Sequence, residues 1–432
     1  MQRVLSSDLP AHAGERVKLS GWIHAIRALG NVNFVQLRDR AGITQLFLTK
    51  AEMVQLDGIL PESVIEVEGN VHVESQAPGG YEIHEPVLTV LSPVTEGLPF
   101  PINKPRLGAQ LDTYLNHATI GLRHPDKQAT FRLSSTVLKG FRQSLAALDF
   151  TEITTPKIVA SATESGANVF AIDYFGQKAY LAQSPQFYKQ MMVGVFERVF
   201  EIGAVFRAEP HATTRHVNEY VSLDAEMGFI RDHHDVIEVV THVVHGILAA
   251  LQAEREVELS RLDLTLPQAP DTFPTIHFAD AQDLLYQRYG EDCRGEPDLA
   301  PQHERRLGEW ASEEHGSDFL FVTGYPMVKR PFYTHPDPED PTYSNSFDLL
   351  FRGMEMVTGG QRLHRYADYL AALERAGQPP EPFEGYLEAF RYGMPPHGGF
   401  AIGLERVVMQ LVGAQNVRET TLFPRDLNRL TP

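Results

Sequence analysis

The chain has 432 residues, 43% of them hydrophobic, which is enough for two or three domains with separate cores. Its single cysteine, Cys293, excludes an internal disulfide and a cysteine-rich zinc site, and it predicts a reducing, cytoplasmic location. The formal net charge of −18 makes a nucleic-acid partner less expected without excluding one, because binding depends on the local field.

The first segments of the chain give no sign of a membrane or a secretory signal. The first twenty residues lack an apolar core, and no run of eighteen apolar residues follows them.

Short strand-like runs then fill residues 16–92, with one helical stretch at 50–56. About five such strands favour a small closed barrel of the oligonucleotide-binding (OB) type, although any five-stranded β module fits the pattern as well. The runs are 17–24, 33–39, 44–48, 64–69 and 81–84.

A change of composition follows the barrel. Four prolines lie from Pro93 to Pro105, and a proline-rich segment without a hydrophobic period is typical of a linker. We therefore predict a barrel domain over 1–92, a hinge over 93–127 and a second domain over 128–432. Strand-like runs in the second domain outnumber those of a βαβ repeat, which predicts an α+β fold with a mostly antiparallel sheet flanked by helices. The predicted helices are 128–148, 235–256, 300–314 and 366–376, and the predicted strands are 198–207, 222–229, 319–325, 346–357 and 398–403.

The first chemical motif is the tetrapeptide 206–209, in which Arg207 and Glu209 end an apolar strand. An arginine at a strand end offers a planar fork that suits phosphate, and Arg215 and His216 in the next loop are further groups for a polyphosphate. A structural ion pair between the arginine and the glutamate is the alternative. Taken alone, such a pair is the commoner explanation.

Two carboxylates, Asp348 and Glu355, flank the dipeptide 352–353. If this dipeptide is a two-residue hairpin turn, Leu350 pairs with Glu355, and the two carboxylates become diagonal neighbours on one face. Adjacent carboxylates are costly unless a cation joins them, and oxygen ligands shared with phosphates describe a Mg²⁺ site. Two solvated carboxylates on an exposed face fit the pattern equally well.

A glycine-rich strand runs into an apolar helix over residues 396–409. The glycines allow a ligand or another backbone to approach closely, and Arg406 in the first helical turn is placed to lie flat on an aromatic base. The segment is neither a Walker loop nor a dinucleotide fingerprint. Alone, this motif is weak evidence.

In this order the three motifs resemble the signatures of class II aminoacyl-tRNA synthetases, together with a helix and strand that end in proline over 131–156. Residues 183–190, 207–226 and 359–362 look more closely like aspartyl-tRNA synthetases. Because the interval 229–343 has no room for the large bacterial insertion, the chain resembles the shorter archaeal type. The resemblance implies a homodimer that uses ATP and Mg²⁺ to join L-aspartate to tRNA through an aspartyl-adenylate.

The resemblance also implies a role for each matching position. Arg207 would hold the α-phosphate of ATP and His216 the distal phosphates, while Tyr220 and Arg406 would cover the two faces of adenine. Lys189 and Arg362 would bind the side-chain carboxylate of aspartate. The implied ATP site is Arg207, Glu209, Arg215, His216, Tyr220, Glu355, Gly403 and Arg406, with Arg207, His216 and Arg406 as catalytic residues. The implied aspartate site is Glu164, Gln186, Lys189, Asp224 and Arg362, and the implied Mg²⁺ ligands are Asp348, Glu355 and Thr358.

Related enzymes for lysine and asparagine share these motifs. Lysine would need an acidic pocket, whereas Lys189 and Arg362 present positive charge. Asparagine would leave the buried charge of Lys189 unpaired, which is expensive. A paralogue that makes asparagine, or a regulatory protein that keeps only the fold, is less expected, because the barrel and every catalytic position are present.

The barrel matches the anticodon-binding domain of the same family. Phe34 and Gln45 lie where the family stacks and hydrogen-bonds anticodon bases, with Arg27 and Glu82 as helpers. A core position for Phe34 and a solvated one for Gln45 are the alternative.

Two barrel positions bear on the choice of tRNA. In the strict archaeal-type enzymes that this chain resembles, the positions of His24 and Pro78 are occupied by Trp and Lys. Both positions are expected to lie near the third anticodon base. Their replacement predicts a relaxed enzyme that charges both aspartate and asparagine tRNAs, the second product then being amidated by a tRNA-dependent amidotransferase. Neutral drift in a strict enzyme is the alternative.

Overall fold

The computed structural model describes residues 2–160, 168–211 and 213–432. The chain divides into two compact units, Met1–His124 and Pro125–Pro432. The implied aspartate ligand Glu164 lies outside the described residues. Each unit has its own core and is described separately.

The first unit is built on a five-stranded barrel. Its strands are β1 (Arg16–Ala28), β2 (Val32–Arg38), β3 (Ile43–Thr49), β4 (Val64–Val73) and β5 (Tyr81–Ser92). They close in the order β1-β2-β3-β5-β4, which confirms the predicted barrel. Alternate residues such as Leu19, Val35 and Leu46 point inward and are buried, because successive side chains of a strand face opposite sides. The predicted helix at 50–56 is a 3₁₀ helix, Glu52–Leu56.

Residues 93–124 belong by contact to the barrel unit. They contain two short helices, α1 (Leu111–Asn116) and α2 (Ala118–Gly121). Tyr114 of α1 is buried, and its ring lies where a Cβ at Gly121 would be. The sequence does not predict these helices, since four to six residues are too few to show a hydrophobic period.

The second unit is a mixed α+β domain, as predicted, with an eight-stranded, mostly antiparallel sheet and a separate three-stranded sheet. Its strands are β6 (Thr151–Glu152), β7 (Ile158–Val159), β8 (Ala171–Tyr174), β9 (Gln177–Leu181), β10 (Arg198–Phe206), β11 (Glu219–Gly228), β12 (Thr275–His277), β13 (Phe319–Thr323), β14 (Ser346–Phe351), β15 (Met354–Arg362) and β16 (His397–Gly403). The large sheet runs β12-β13-β14-β15-β16-β11-β10-β6, and the small one β7-β9-β8.

Helices cover the large sheet and close the core. They are α3 (Pro125–Ala146), α4 (Gln186–Phe196), α5 (His233–Glu254), α6 (Glu256–Arg261), α7 (Phe278–Tyr289), α8 (Pro301–His315), α9 (Tyr366–Arg375), α10 (Glu384–Arg391) and α11 (Leu404–Val412). Val137 and Phe141 of α3 and Val240 of α5 are fully buried in one cluster with sheet residues. By length and composition alone α5 is apolar enough to cross a membrane, with a mean hydropathy of 1.6. Its buried valines are those of a core helix.

Candidate active site

One face of the large sheet carries the polar side chains of the site. Directly opposed residues of antiparallel strands share a face. Asp348 of β14 is opposite Thr358 of β15, Thr358 is opposite Ala401 of β16, and Ala401 is opposite Asp224 of β11. In the next row of the same face, Glu226 lies two residues beyond Asp224. The sheet therefore aligns residues that are up to 177 positions apart in sequence, from Asp224 to Ala401.

The hairpin β14–β15 sets the positions of the two carboxylates. Its turn residues, Arg352 and Gly353, have φ values of 47° and 69°, as a two-residue primed turn requires. Leu350 pairs with Glu355, which confirms the prediction. The register then shifts by one residue, so that β15 contains a bulge at Met356.

The bulge changes which side chains of β15 share a face. Thr358 is three residues after Glu355 and would face the opposite side in a regular strand. With one extra residue, both face the site, and the Thr358 Oγ1 hydroxyl donates to Glu355 Oε1 at 3.0 Å. The sequence pattern gives no sign of this bulge.

The two carboxylates differ in their electrostatics. Burial raises the pKa of Asp348 to about 6, and repulsion from Glu355 adds to this effect. Arg330 acts in the opposite direction, since its Nη2 lies 3.2 Å from Asp348 Oδ1. Burial would also raise the pKa of Glu355, but Arg406 and the hydrogen bond from Thr358 outweigh it and hold that pKa below its ordinary value. Asp348 is only 7% exposed, so the interpretation of two solvated carboxylates is wrong for this residue.

A pocket of about 280 Å³ opens on this face. Among its basic groups, Arg207 follows the last residue of β10 and lies over the Tyr220 ring, 5.7 Å from its centroid. The guanidinium of Arg406 lies 3.4 Å from His216 Nε2, and it donates to the Glu355 carbonyl at 3.2 Å. The implied ligands that line the pocket are Gln186, Arg207, Glu209, Arg215, His216, Tyr220, Asp224, Glu355, Thr358, Gly403 and Arg406.

Charges around the pocket set the state of its histidine. Burial, reinforced by Arg406, lowers the pKa of His216, so this imidazole is neutral near pH 7 and does not add a cation. Arg215 is held at the pocket edge by Glu304 of α8, with Nη1 and Oε2 3.2 Å apart. The positive charge that faces the pocket therefore comes from the arginines.

A buried group of four charges lies beside the pocket. Lys189 Nζ of α4 is 3.0 Å from Asp224 Oδ1 and 3.3 Å from Glu226 Oε2. Arg362 Nε of β15 is 3.0 Å from Glu226 Oε1. The structure thus brings together three of the implied aspartate ligands and adds Glu226, which sequence reasoning missed. Its position two residues after Asp224 in a strand was the available signal.

This arrangement overturns one argument from sequence. Lys189 is buried, as assumed, but two carboxylates of the protein already pair with it. Two cations and two anions balance each other, so an asparagine side chain would not leave Lys189 unpaired. The reason given for preferring aspartate is therefore wrong, and the preference needs other support.

The two cations also donate to the backbone of β16. Lys189 Nζ donates to the Phe400 carbonyl at 3.1 Å, and Arg362 Nη2 donates to the Gly399 carbonyl at 3.1 Å. A Cβ at Gly399 would overlap the carboxylate of Glu226. The glycine of β16 therefore makes room for a buried carboxylate as well as for close approach of a ligand.

A second buried carboxylate that the sequence did not reveal is Glu405, at the start of α11. Its two oxygens accept hydrogen bonds from the Val221 amide at 3.1 and 3.2 Å. Burial raises its pKa to about 7. Because the pKa of Glu405 in the folded protein lies above the ordinary value of 4.5, its contribution to the free energy of unfolding is fully present below about pH 4.5. This contribution is lost as the pH rises through about 7.

We expect Glu405→Gln to remove this pH dependence. The shift corresponds to about 3 kcal/mol of unfolding free energy that the wild type loses between pH 5 and 9. Urea unfolding at pH 5, 7 and 9 should show a flatter profile for the variant, with its largest relative gain at pH 9. Glu374→Gln changes an exposed carboxylate and serves as the control. Parallel profiles for wild type and Glu405→Gln would contradict the assignment.

The outer face of the barrel holds the implied anticodon residues. Phe34 is half-buried and outside the core cluster, with its ring 6.0 Å from that of Phe47. Gln45 Nε2 donates to Glu82 Oε2 at 2.9 Å. The alternative that places Phe34 in the core and Gln45 in solvent is therefore wrong. Arg27 is exposed on β1, opposite Phe34 on β2.

The two positions predicted to affect the choice of tRNA lie in different parts of the barrel unit. His24 is buried at an irregularity of β1, and its Nδ1 lies 3.1 Å from Arg38 Nη1. Arg38 in turn forms a buried ion pair with Glu62. Pro78 begins the half-buried turn Pro78–Gly80 that precedes β5. A substitution at His24 would therefore also affect the buried ion pair of Arg38 and Glu62.

Both units match known families. A family model for class II tRNA synthetases (D, K and N) matches residues 110–427, and one for the OB-fold nucleic acid binding domain matches residues 17–91. The chain belongs to the class II aminoacyl-tRNA synthetases of the aspartate, lysine and asparagine group. The three motifs named in the sequence lie at the end of β10, in the hairpin β14–β15, and in β16 with α11.

Within this family the chain is similar to enzymes named for aspartate. It is 46% identical to the "Aspartate--tRNA(Asp/Asn) ligase" of Deinococcus radiodurans, over 100% of this chain and 99% of the relative. It is 40% identical to the "Aspartate--tRNA(Asp) ligase" of Pyrococcus horikoshii, over 97% of each chain. The solved asparaginyl-tRNA synthetase of P. horikoshii with asparaginyl-adenylate has a TM-score of 0.93 at 30% identity, over 100% of each chain. The fold alone therefore does not select the amino acid.

Proposed function

We propose that the protein attaches L-aspartate to tRNA in two steps. ATP first activates aspartate as aspartyl-adenylate, and the aspartyl group then passes to the 3′-hydroxyl of the terminal adenosine of tRNA. The observation that carries this proposal is the pocket lined by Arg207, Arg215 and Arg406 in a chain that belongs to the class II aminoacyl-tRNA synthetases. The 46% identical relative named for aspartate and tRNA supports it.

The chemistry requires positioning more than a protein nucleophile. The aspartate α-carboxylate attacks the α-phosphorus, and the bond from that phosphorus to the pyrophosphate oxygen breaks. Arg207 lies at the end of β10, where it would neutralise the α-phosphate, and Arg406 with Tyr220 would hold adenine. Asp224, on the pocket wall, is a carboxylate for the substrate ammonium group. Fixed charges of this kind lower the barrier without covalent catalysis.

Mg²⁺ fits the carboxylate hairpin. Asp348 and Glu355 face the same side of the sheet as Thr358, and burial together with repulsion from Glu355 raises the pKa of Asp348 to about 6. Hard oxygen donors of this type suit Mg²⁺. Bound there, the ion would neutralise phosphate charge, and we propose these three residues as its ligands.

The choice of amino acid is tested by ATP–pyrophosphate exchange without tRNA. We expect exchange with aspartate and no appreciable exchange with asparagine, because the full-length relatives at 40–46% identity are named for aspartate. Equal exchange rates with the two amino acids would contradict the assignment. Exchange with asparagine alone would make the protein an asparaginyl enzyme, and a lack of transfer to any tRNA would favour a paralogue that has lost charging.

We propose that the enzyme has relaxed tRNA specificity and charges both aspartate and asparagine tRNAs. The name of the D. radiodurans relative and the residues His24 and Pro78 support this. Asparagine tRNA charged with aspartate would then be the substrate of a tRNA-dependent amidotransferase. A cytoplasmic location, where both tRNAs are charged, is part of the proposal and agrees with a single buried cysteine.

Aspartylation of purified asparagine tRNA, measured beside aspartate tRNA in one buffer, tests the relaxed specificity. We expect comparable rates. A ratio below about one in a thousand, or about 4 kcal/mol of discrimination, would show a strict enzyme. Pro78→Lys should depress charging of the asparagine tRNA more than that of the aspartate tRNA, with unchanged tRNA-free exchange. Adding His24→Trp should deepen the effect, but unfolding must be measured because His24 is buried against Arg38.

We also propose a homodimer. The apolar side of α3 is in the core of its own domain, so it is not available as an apolar interface. The outer side of α3 is charged, with Arg132 3.2 Å from Glu258. The support is the exposed end strand β6 that follows α3, because an end strand offers backbone groups to a second chain. Sedimentation equilibrium at micromolar concentration should give twice 48.4 kDa, and a fully active monomer would contradict this.

A further inference from the structure

Three potential metal ligands lie together on the outer face of the barrel. His72 of β4 is directly opposite Glu82 of β5, and His84 is two residues beyond Glu82 on the same face. Glu82 Oε1 is 2.7 Å from His84 Nε2. One ligand atom from each of the three residues lies within 4.8 Å of the other two.

Neighbouring side chains orient two of these ligands. Gln45 Nε2 donates to the second carboxylate oxygen of Glu82, Oε2, at 2.9 Å, which leaves Oε1 to face His84. The His84 ring stacks on Phe47, with centroids 4.8 Å apart and planes 7° from parallel. Hydrogen-bond partners such as Gln45 fix ligand orientation in metal sites and raise affinity.

The third ligand is free to adjust. His72 is exposed, and its ring lies 4.5 Å from that of His84 with a tilt of 33°. Because His72 is exposed, its side chain can change rotamer without a change in the barrel backbone. The open side of the group faces solvent, which leaves a coordination position for water or a further ligand.

We propose that His72, Glu82 and His84 bind a divalent transition metal of the Zn²⁺ type. Two imidazole nitrogens and one carboxylate oxygen suit Zn²⁺, Co²⁺ or Ni²⁺, whereas Mg²⁺ prefers oxygen donors alone. The site is separate from the carboxylate hairpin of the second unit and differs from it in metal preference.

The site shares Glu82 with the surface proposed to read the anticodon, so its consequence rests on the proposed function. A metal bound to Glu82 and His84 draws this carboxylate away from nucleobases and adds a ligand-bearing ion to the same face. Metal occupancy and anticodon reading therefore oppose each other. Transition metal inhibits tRNA charging and leaves tRNA-free ATP–pyrophosphate exchange unchanged.

Binding is tested on the full chain by titration with Co²⁺ in excess Mg²⁺, followed by visible absorption and by calorimetry. We expect one site whose affinity falls at least tenfold in His72→Ala and in His84→Ala. His234→Ala is the matched control, because Asp232, His233 and His234 form the other histidine and carboxylate group among the described residues. Unchanged affinity in both barrel variants, or loss of binding in the control, would overturn the proposal.

The functional arm compares charging and exchange with one equivalent of Zn²⁺ per chain. Charging should fall, recover on chelation, and be resistant to Zn²⁺ in His72→Ala, while exchange stays constant. Equal inhibition of exchange, or equal inhibition of His72→Ala, would overturn the proposed competition. Failure of the metal-free wild type to charge any tRNA would instead refute the proposed function, so the two failures are distinguishable.

Discussion

Arg207→Ala should lower kcat/KM for ATP–pyrophosphate exchange about a thousandfold, or about 4 kcal/mol of transition-state stabilisation. Arg207 is the basic residue that β10 delivers to the pocket, next to the Tyr220 ring. Its fork is placed to meet charge that grows on the α-phosphate as pyrophosphate leaves. The loss should therefore appear largely in kcat.

The control for this variant is Arg231→Ala. Arg231 is a surface arginine, 79% exposed, that pairs with Asp235 at the start of α5. Its removal should leave exchange within a factor of about two, because exposed ion pairs contribute little. If Arg207→Ala stays folded and retains near-normal exchange, the pocket is not the site of activation.

Lys189→Met should lower the activation of aspartate by about two to three orders of magnitude. Methionine has a similar length but no charge, so Asp224 and Glu226 lose a buried partner. An uncompensated buried carboxylate is expensive, and we expect the variant to lose about 3–5 kcal/mol of unfolding free energy as well. Exchange with aspartate and asparagine, each corrected for the folded fraction, is the measurement.

Lys139→Met is the matched control, since Lys139 is a half-exposed lysine on α3 that pairs with Glu254. It should leave both stability and exchange close to wild type. A folded Lys189→Met protein with unchanged kcat/KM for aspartate would show that the charged group has a structural role only. A fall in ATP affinity equal to the fall for aspartate would place Lys189 in the wrong subsite.

Local features of the fold were readable from the sequence. The Arg352–Gly353 turn and the pairing of Leu350 with Glu355 follow from turn chemistry over a few residues. The helices α3, α5, α8 and α9 and the barrel strands β2 and β3 show clear periods, and their predicted positions agree with the structure to within a few residues. The strands β1, β4 and β5 extend beyond their predicted ends at 24, 69 and 84.

Features that depend on distant residues were not readable. Lys189 was predicted to face substrate, but its partners Asp224 and Glu226 follow 35 and 37 residues later, and no local pattern links them. Arg330 reaches Asp348 from the connection between β13 and β14 in the same way.

The helix α4 was missed because its apolar residues form a nearly continuous run, which resembles a buried strand.

The bulge at Met356 gives β15 an unusual sensitivity to changes of length. Glu355 precedes the bulge, while Thr358 and Arg362 follow it, and all three reach the site face only because one residue is unpaired. Substitution at Met356 would keep the register of β15 and would change only the core and the pocket wall that this side chain contacts. Deletion of Met356 would put Glu355 out of phase with Thr358 and Arg362, separating the phosphate-side carboxylate from the aspartate-side arginine. In this strand, therefore, the number of residues is more strongly constrained than the identity of the bulged residue.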